Sequence, residues 1–212
     1  MKLLFISKET YAWPLHYLIE KLPRVYDCHV VTPLAHESIL NTFDYKNFIK
    51  LNSQLKHHNY NKFAYSFHNS KNKIDYNYLE YIEKNFTSIK NLNLQIISSQ
   101  FFSSNYHYRK YYYEINMHQR IKFLTEFYKY TEELIDNIKP DIIIDIDNSE
   151  FARHCFLEIA LKKNIQHTSI LPSQYLNYFI PREKLGLEMD KWIDDAFNNF
   201  LRRSTFKDNL QN

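Results

Sequence analysis

Three short polar stretches hold the side chains that can do chemistry. The first is Asp145, Asp147, Asn148, Ser149, Glu150 and Arg153. Its two aspartates stand at alternate positions, so both carboxylates share a strand face and can reach one ligand if the strand ends there. Asp147 in that place can take a proton from a hydroxyl group as a general base. The same D-x-D triplet can hold a divalent ion through hard oxygens. It also has a plainer use: Asp147 to Ser149 can cap the next helix by accepting from its free amides. The second stretch is Ser7, Lys8, Glu9, Thr10 and Tyr11, which offers Glu9 as a base and a following helix whose first amides can meet an anion. It serves equally as a solvated turn. The third, Ser173, Gln174, Tyr175 and Asn177, has hydrogen-bonding groups that suit a sugar and an aromatic face for stacking, or is an ordinary loop.

Each stretch follows a run that reads as a buried strand, and the elements around these runs predict how they are held. Lys2 to Ser7 is the first strand. Pro14 suits a first helical turn, Leu15, Leu18, Ile19 and Leu22 fall on one helical face, and Pro23 closes that helix. Cys28 to Thr32 reads as a second strand, followed by a short helix at 36–42 and a third strand at 48–51. Residues 52–74 are polar and aperiodic, and read as a loop or excursion. A helix is expected over 75–86 with Tyr78, Leu79, Ile82 and Phe86 inward, then a fourth strand over 92–98. Leu124, Phe127, Tyr128, Thr131, Ile135 and Ile138 make a strong helical stripe, in a helix that can begin as early as Tyr106.

The clearest unit runs from Lys139 to Leu171. Three consecutive isoleucines in Asp141 to Asp147 are the pattern of a strand covered on both faces. Phe151, Ala152, Cys155, Phe156, Ile159 and Ala160 form the next apolar helical face, and Gln166 to Leu171 returns as a strand stopped by Pro172. Strand, crossover helix and strand should lie parallel. From Glu183, the residues Met189, Trp192, Ile193, Ala196, Phe197, Phe200 and Leu201 describe a long amphipathic helix, which packs back on the domain or docks a partner or membrane surface. The expected fold is thus α/β, with a mainly parallel sheet flanked by helices over 1–181 and a C-terminal helical segment over 182–212. In such sheets ligands bind at the carboxyl ends of the strands, where all three polar stretches fall.

Composition narrows the function further. The chain has 212 residues, 44% hydrophobic, enough for one large core, and a formal charge of +3 that is too small and interspersed for a nucleic-acid footprint. Its single glycine, Gly186, removes the dinucleotide fingerprint and the P-loop, which need backbone approaches that only glycine permits. The two cysteines, Cys28 and Cys155, sit in apolar patterns as free, buried thiols. Ten histidines supply no H-E-x-x-H and no Cys/His quartet. No stretch approaches the ~20 apolar residues of a membrane span. A reducing cytoplasm is the expected location.

Two segments, KLLFISKETYAWPLHYLIEKL and KPDIIIDIDNSEFARHCFLEIALKKNIQHTSIL, resemble the N-terminal, acceptor-side Rossmann-like domain of bacterial glycosyltransferases with two facing domains, the GT-B architecture. Enzymes of this kind build capsules and lipopolysaccharides, at or near the inner face of the membrane. The resemblance implies a nucleotide-sugar donor, a glycan acceptor and no cofactor or metal of this half. It makes Asp147 or Glu9 the base that deprotonates the acceptor, with Lys8, Thr10, Tyr11, Asn148, Ser149, Glu150, Arg153, Ser173 and Tyr175 around the substrate. In that family the donor is commonly gripped by glycine-containing loops of the second domain. With a single glycine here, the donor site is expected on a missing domain or a partner chain. Two other readings stay open: a one-domain enzyme binding nucleotide sugar and Mn²⁺ through Asp145 and Asp147, and a noncatalytic module docking through its C-terminal helix.

Overall fold

The structure, a computed structural model, describes residues 1–7, 12–32, 55–59, 73–86, 92, 96, 116–145, 151–172, 179–182, 195, 198 and 199. In chain order these form β1 (Lys2–Ile6), α1 (Ala12–Lys21), β2 (Asp27–Thr32), β3 (Lys56–Asn59), α2 (Tyr76–Asn85), α3 (Met117–Ile138), β4 (Ile142–Asp145), α4 (Phe151–Lys162), β5 (Gln166–Pro172) and β6 (Phe179–Arg182). The strands make one six-stranded sheet in the order β3-β2-β1-β4-β5-β6. The first five run parallel and β6 pairs antiparallel with β5. The mainly parallel α/β sheet expected from the sequence is what forms.

Strand alternation divides the apolar residues between two layers. Leu4, Ile6, Val31 and Ile143 join the larger core with α2, α3 and α4, while Leu3, Phe5 and Val30 meet Leu15 and Ile19 of α1 on the other side. The isoleucine run of β4 is covered on both faces as its pattern requires: Ile143 lies in the first cluster, and Ile142 and Ile144 pack on the second. All six residues expected on the apolar face of α4 are buried in the larger core. That helix is enclosed almost all round, since Arg153, Leu157 and Glu158 are buried as well. Cys155 is fully buried there and Cys28 half-buried on the α1 side, both as free thiols. Burial pushes the Cys155 thiol well above its ordinary range.

The helix ends are set by side chains rather than by glycine. Asp75 caps α2 by accepting from the Tyr78 amide at 3.0 Å. A reciprocal capping box starts α3, in which Gln119 N–H donates to Asn116 Oδ1 and Asn116 N–H to Gln119 Oε1. Lys139 ends α3 in the left-handed region with φ 52°, donating its amide to Ile135 O just before Pro140. Among the described residues, the left-handed turns are made by Lys139 and Asn164.

Three expectations are corrected. The polar excursion at 52–74 contains a strand, β3, which pairs with β2 from His29–Lys56 to Thr32–Asn59. An edge strand is held by its backbone ladder and needs no apolar alternation, so K-H-H-N gave no periodic signal. Leu92 and Ile96, the described residues of the expected fourth strand, are helical and buried in the larger core; their four-residue spacing is one helical face. Finally, α3 begins at Met117 behind its Asn116 cap, not near Tyr106. The expected helix at 36–42 and strand at 48–51 lie outside the described residues, as does the apolar stripe from Met189 to Leu201. Asp195, Asn198 and Asn199, polar positions between members of that stripe, are helical and exposed.

Candidate functional site at the carboxyl edge of the sheet

From β1 the strand order steps outward to β2 and β3; from β4 it steps the opposite way to β5 and β6. The helices diverge too, with α1 packed on one face and α4 on the other. The boundary between β1 and β4 is therefore the topological switch point, the place where an open parallel sheet leaves a crevice at its carboxyl edge. Ile6 pairs with Asp145, and Asp145 with Ser169. β1 and β4 thus end side by side, and β5 runs beside them to Ser169 before continuing to Pro172.

At this edge the side chains turn from apolar to polar. Ser7 continues the β1 ladder by donating its amide to Val31 O at 2.8 Å. Ser7 and Ser169 are 2% and 1% exposed, and neither hydroxyl has a hydrogen-bond partner among the described residues. Between them, Asp145 accepts from Arg153, with Nη1 to Oδ1 at 3.1 Å and side-chain exposures of 0% and 1%. Arg153 stands in the first turn of α4, so this buried pair joins the end of β4 to the start of the following helix. Two charges removed from water persist only when each meets the other in good geometry. The pair also changes the roles open to these residues. Arg153, expected to orient a substrate, engages Asp145 through Nη1, and Asp145, half of the D-x-D triplet, faces that guanidinium through Oδ1.

Of the residues expected in the site, Ser7, Asp145 and Arg153 are among those described. Lys8, Glu9, Thr10, Tyr11, Asp147, Asn148, Ser149, Glu150, Ser173 and Tyr175 lie outside them. Ser169 was not singled out for chemistry by sequence reasoning. The signal for the Asp145–Arg153 pair was present: a lone carboxylate in an isoleucine strand, and a lone cation between Ala152 and Cys155 in an apolar helix.

Behind this edge lies a second buried polar group. His167 of β5 is 4% exposed, and neither ring nitrogen has a hydrogen-bond partner among the described residues. Burial first, and the neighbouring His154 second, push its pKa down to about 4. His154 itself meets the buried carboxylate of Glu158 at 3.0 Å, one helical turn away.

The far edge of the sheet holds histidines as well. His29 Nδ1 and His58 Nε2 are 3.0 Å apart. With the ring planes within 9° and the centroids 5.3 Å apart, the rings lie end to end in one plane and share one hydrogen bond. Burial lowers the pKa of His29, His57 and His58 alike. Among the described residues no three His, Cys, Asp or Glu side chains gather as a metal site, and no helix is long and apolar enough to cross a membrane. Comparison of the chain with protein-family models, curated proteins and solved structures finds no match. What the fold and edge define is an α/β domain with a polar switch point between β1 and β4.

Proposed function

We propose that the chain is the acceptor-binding half of a glycosyltransferase, which presents a hydroxyl group of a surface polysaccharide at the β1–β4 edge to a nucleotide-sugar donor held by another domain or a partner chain. The observation that carries this reading is the reversal of strand order between β1 and β4, with Ile6 beside Asp145 where the two strands end; in the sequence 8–11 and 146–150 follow these ends. Those two segments contain the bases Glu9 and Asp147 and the hydrogen-bonding groups Lys8, Thr10, Tyr11, Asn148, Ser149 and Glu150. Ser173 and Tyr175 follow β5, the next strand along.

In this reaction Asp147, or Glu9, takes the proton of the acceptor hydroxyl as its oxygen attacks the anomeric carbon. The bond from that carbon to the nucleoside diphosphate breaks, and the diphosphate leaves with the electron pair. Arg153 is a positioning residue, acting through Asp145 rather than on the acceptor. The engagement of Asp145 by Arg153 favours this reading over a Mn²⁺-binding D-x-D enzyme, because a metal would have to displace a buried guanidinium. The same reading puts the chain in the cytoplasm, working at the inner face of the membrane.

The test is Asp147→Asn, assayed with the donor-binding partner present. Loss of the base should lower turnover by roughly a hundredfold or more and leave donor affinity intact. Wild-type turnover in that variant would remove Asp147 and promote Glu9.

A further inference from the structure

The first half of α3 is enclosed on both sides. Phe123, Phe127 and Tyr128 pack on Phe151, with ring centroids 6.1, 5.3 and 6.3 Å away. Phe151 opens α4, so these turns of α3 lie at the carboxyl end of the sheet. On its other side the same stretch of helix presents Lys122 and Thr125, only 4% and 3% exposed. These two residues and Ile74 form the floor of a cavity of about 450 Å³. An amphipathic helix normally turns its polar stripe to water. Here polar groups already meet that stripe, and the space beside it, at this size, is within the range of small-molecule sites.

The charges around the cavity balance. Among the described residues Lys73, Lys122 and Lys129 stand with Asp75, Glu126 and Glu133, so these side chains give no net charge to recruit an anion or a cation. Part of the wall is already fixed. Asp75 caps α2, the Lys129 ammonium lies 5.8 Å from the centre of the Tyr78 ring, and Thr125 donates its hydroxyl proton to Ile121 O at 2.8 Å. Ammonium donors therefore sit near carboxylate acceptors around one opening, with the Tyr130 phenol beside them. An apolar ligand would leave these groups desolvated. A ligand with several hydroxyl groups meets them, because each hydroxyl both donates and accepts, and bonds to charged partners are the stronger ones.

We propose that the cavity between the segment leading into α2 and the outer stripe of α3 is a subsite for a neutral, polyhydroxylated ligand of mono- to disaccharide size. The inference stands whether or not sugar transfer takes place at the β1–β4 edge. It is tested on the ¹⁵N-labelled chain by separate titrations with glucose, galactose, mannose, maltose, inorganic phosphate and glycine, followed by amide shifts. At least one sugar should move the amides of 73–75 and 122–133 saturably, with a Kd of order 1 mM. Glu126→Gln and Lys129→Met, both at the rim, should each weaken that binding about tenfold while the spectrum stays dispersed. Asp147→Asn should leave it unchanged, which separates this subsite from the transfer site. A response to phosphate or glycine alone, or no saturable shift with any of the sugars, would overturn the proposal.

Discussion

The sheet carries two Asp-to-cation pairs that differ in everything except type. At the centre, Asp145 and Arg153 meet at 3.1 Å with exposures of 0% and 1%. At the β2–β3 edge, Lys56 donates to both oxygens of Asp27 at 2.9 and 3.1 Å, yet these side chains are 36% and 59% exposed. The edge pair has the closer contacts, but solvent decides the energetics. Water competes for and screens the edge pair, so it contributes little. The central pair has no water to fall back on, so either partner alone becomes a buried, uncompensated charge. One pair secures the base of the candidate site; the other trims an edge strand.

The comparison is most exposed to error at its centre. Arg153→Met should destabilise the fold by about 3–5 kcal/mol in urea unfolding, with Asp145→Asn destabilising it too. The double variant Asp145→Leu with Arg153→Met should recover much of that loss, since it buries no lone charge. Additive losses would mean that the two residues do not act as a pair.

The next effect in size comes from acid. His167 has a pKa near 4 when folded and about 6.5 when unfolded. Between these values the unfolded chain binds a proton that the folded chain refuses, so stability is full above pH 6.5 and falls as the pH drops toward 4. The loss from this residue is at most about 3 kcal/mol. His29, His57 and His58 are shifted the same way and steepen it. His167→Leu should flatten the profile and cost little at pH 7, because it removes a buried imidazole whose ring nitrogens have no hydrogen-bond partner among the described residues. An unchanged acid profile would show that His167 is not the group that titrates.

The smallest effect belongs to the edge. Lys56→Met should change stability by less than about 1 kcal/mol, and salt should erase the difference. A salt-insensitive loss as large as that of Arg153→Met would break the contrast between the two pairs.

How much of this was legible in the sequence follows from the physics of each element. β1 and β4 announced themselves because strands covered on both faces are apolar in continuous runs, and α4 by its helical stripe; β5 was legible from its place after α4 and its stop at Pro172, although its buried side chains include the polar His167 and Ser169. β3 did not announce itself, because K-H-H-N is polar at every position and the strand is defined by its backbone ladder to β2. Leu92 and Ile96 were read as a strand because a short apolar run carries both periods. At the site, residue types could mark the polar ends of the strands, but not which ends are neighbours. That adjacency comes from the strand order.

The most direct test of the account is to titrate the labelled chain with oligosaccharides of capsule or lipopolysaccharide type, and then with a nucleoside diphosphate and Mn²⁺, reading backbone amide shifts at Ile6, Ser7, Asp145 and Phe151 to Arg153. The account predicts saturable shifts there with a glycan and none with the nucleotide and metal. Glycan titrations that leave those amides still, or Mn²⁺-dependent nucleotide shifts at Asp145, would contradict it.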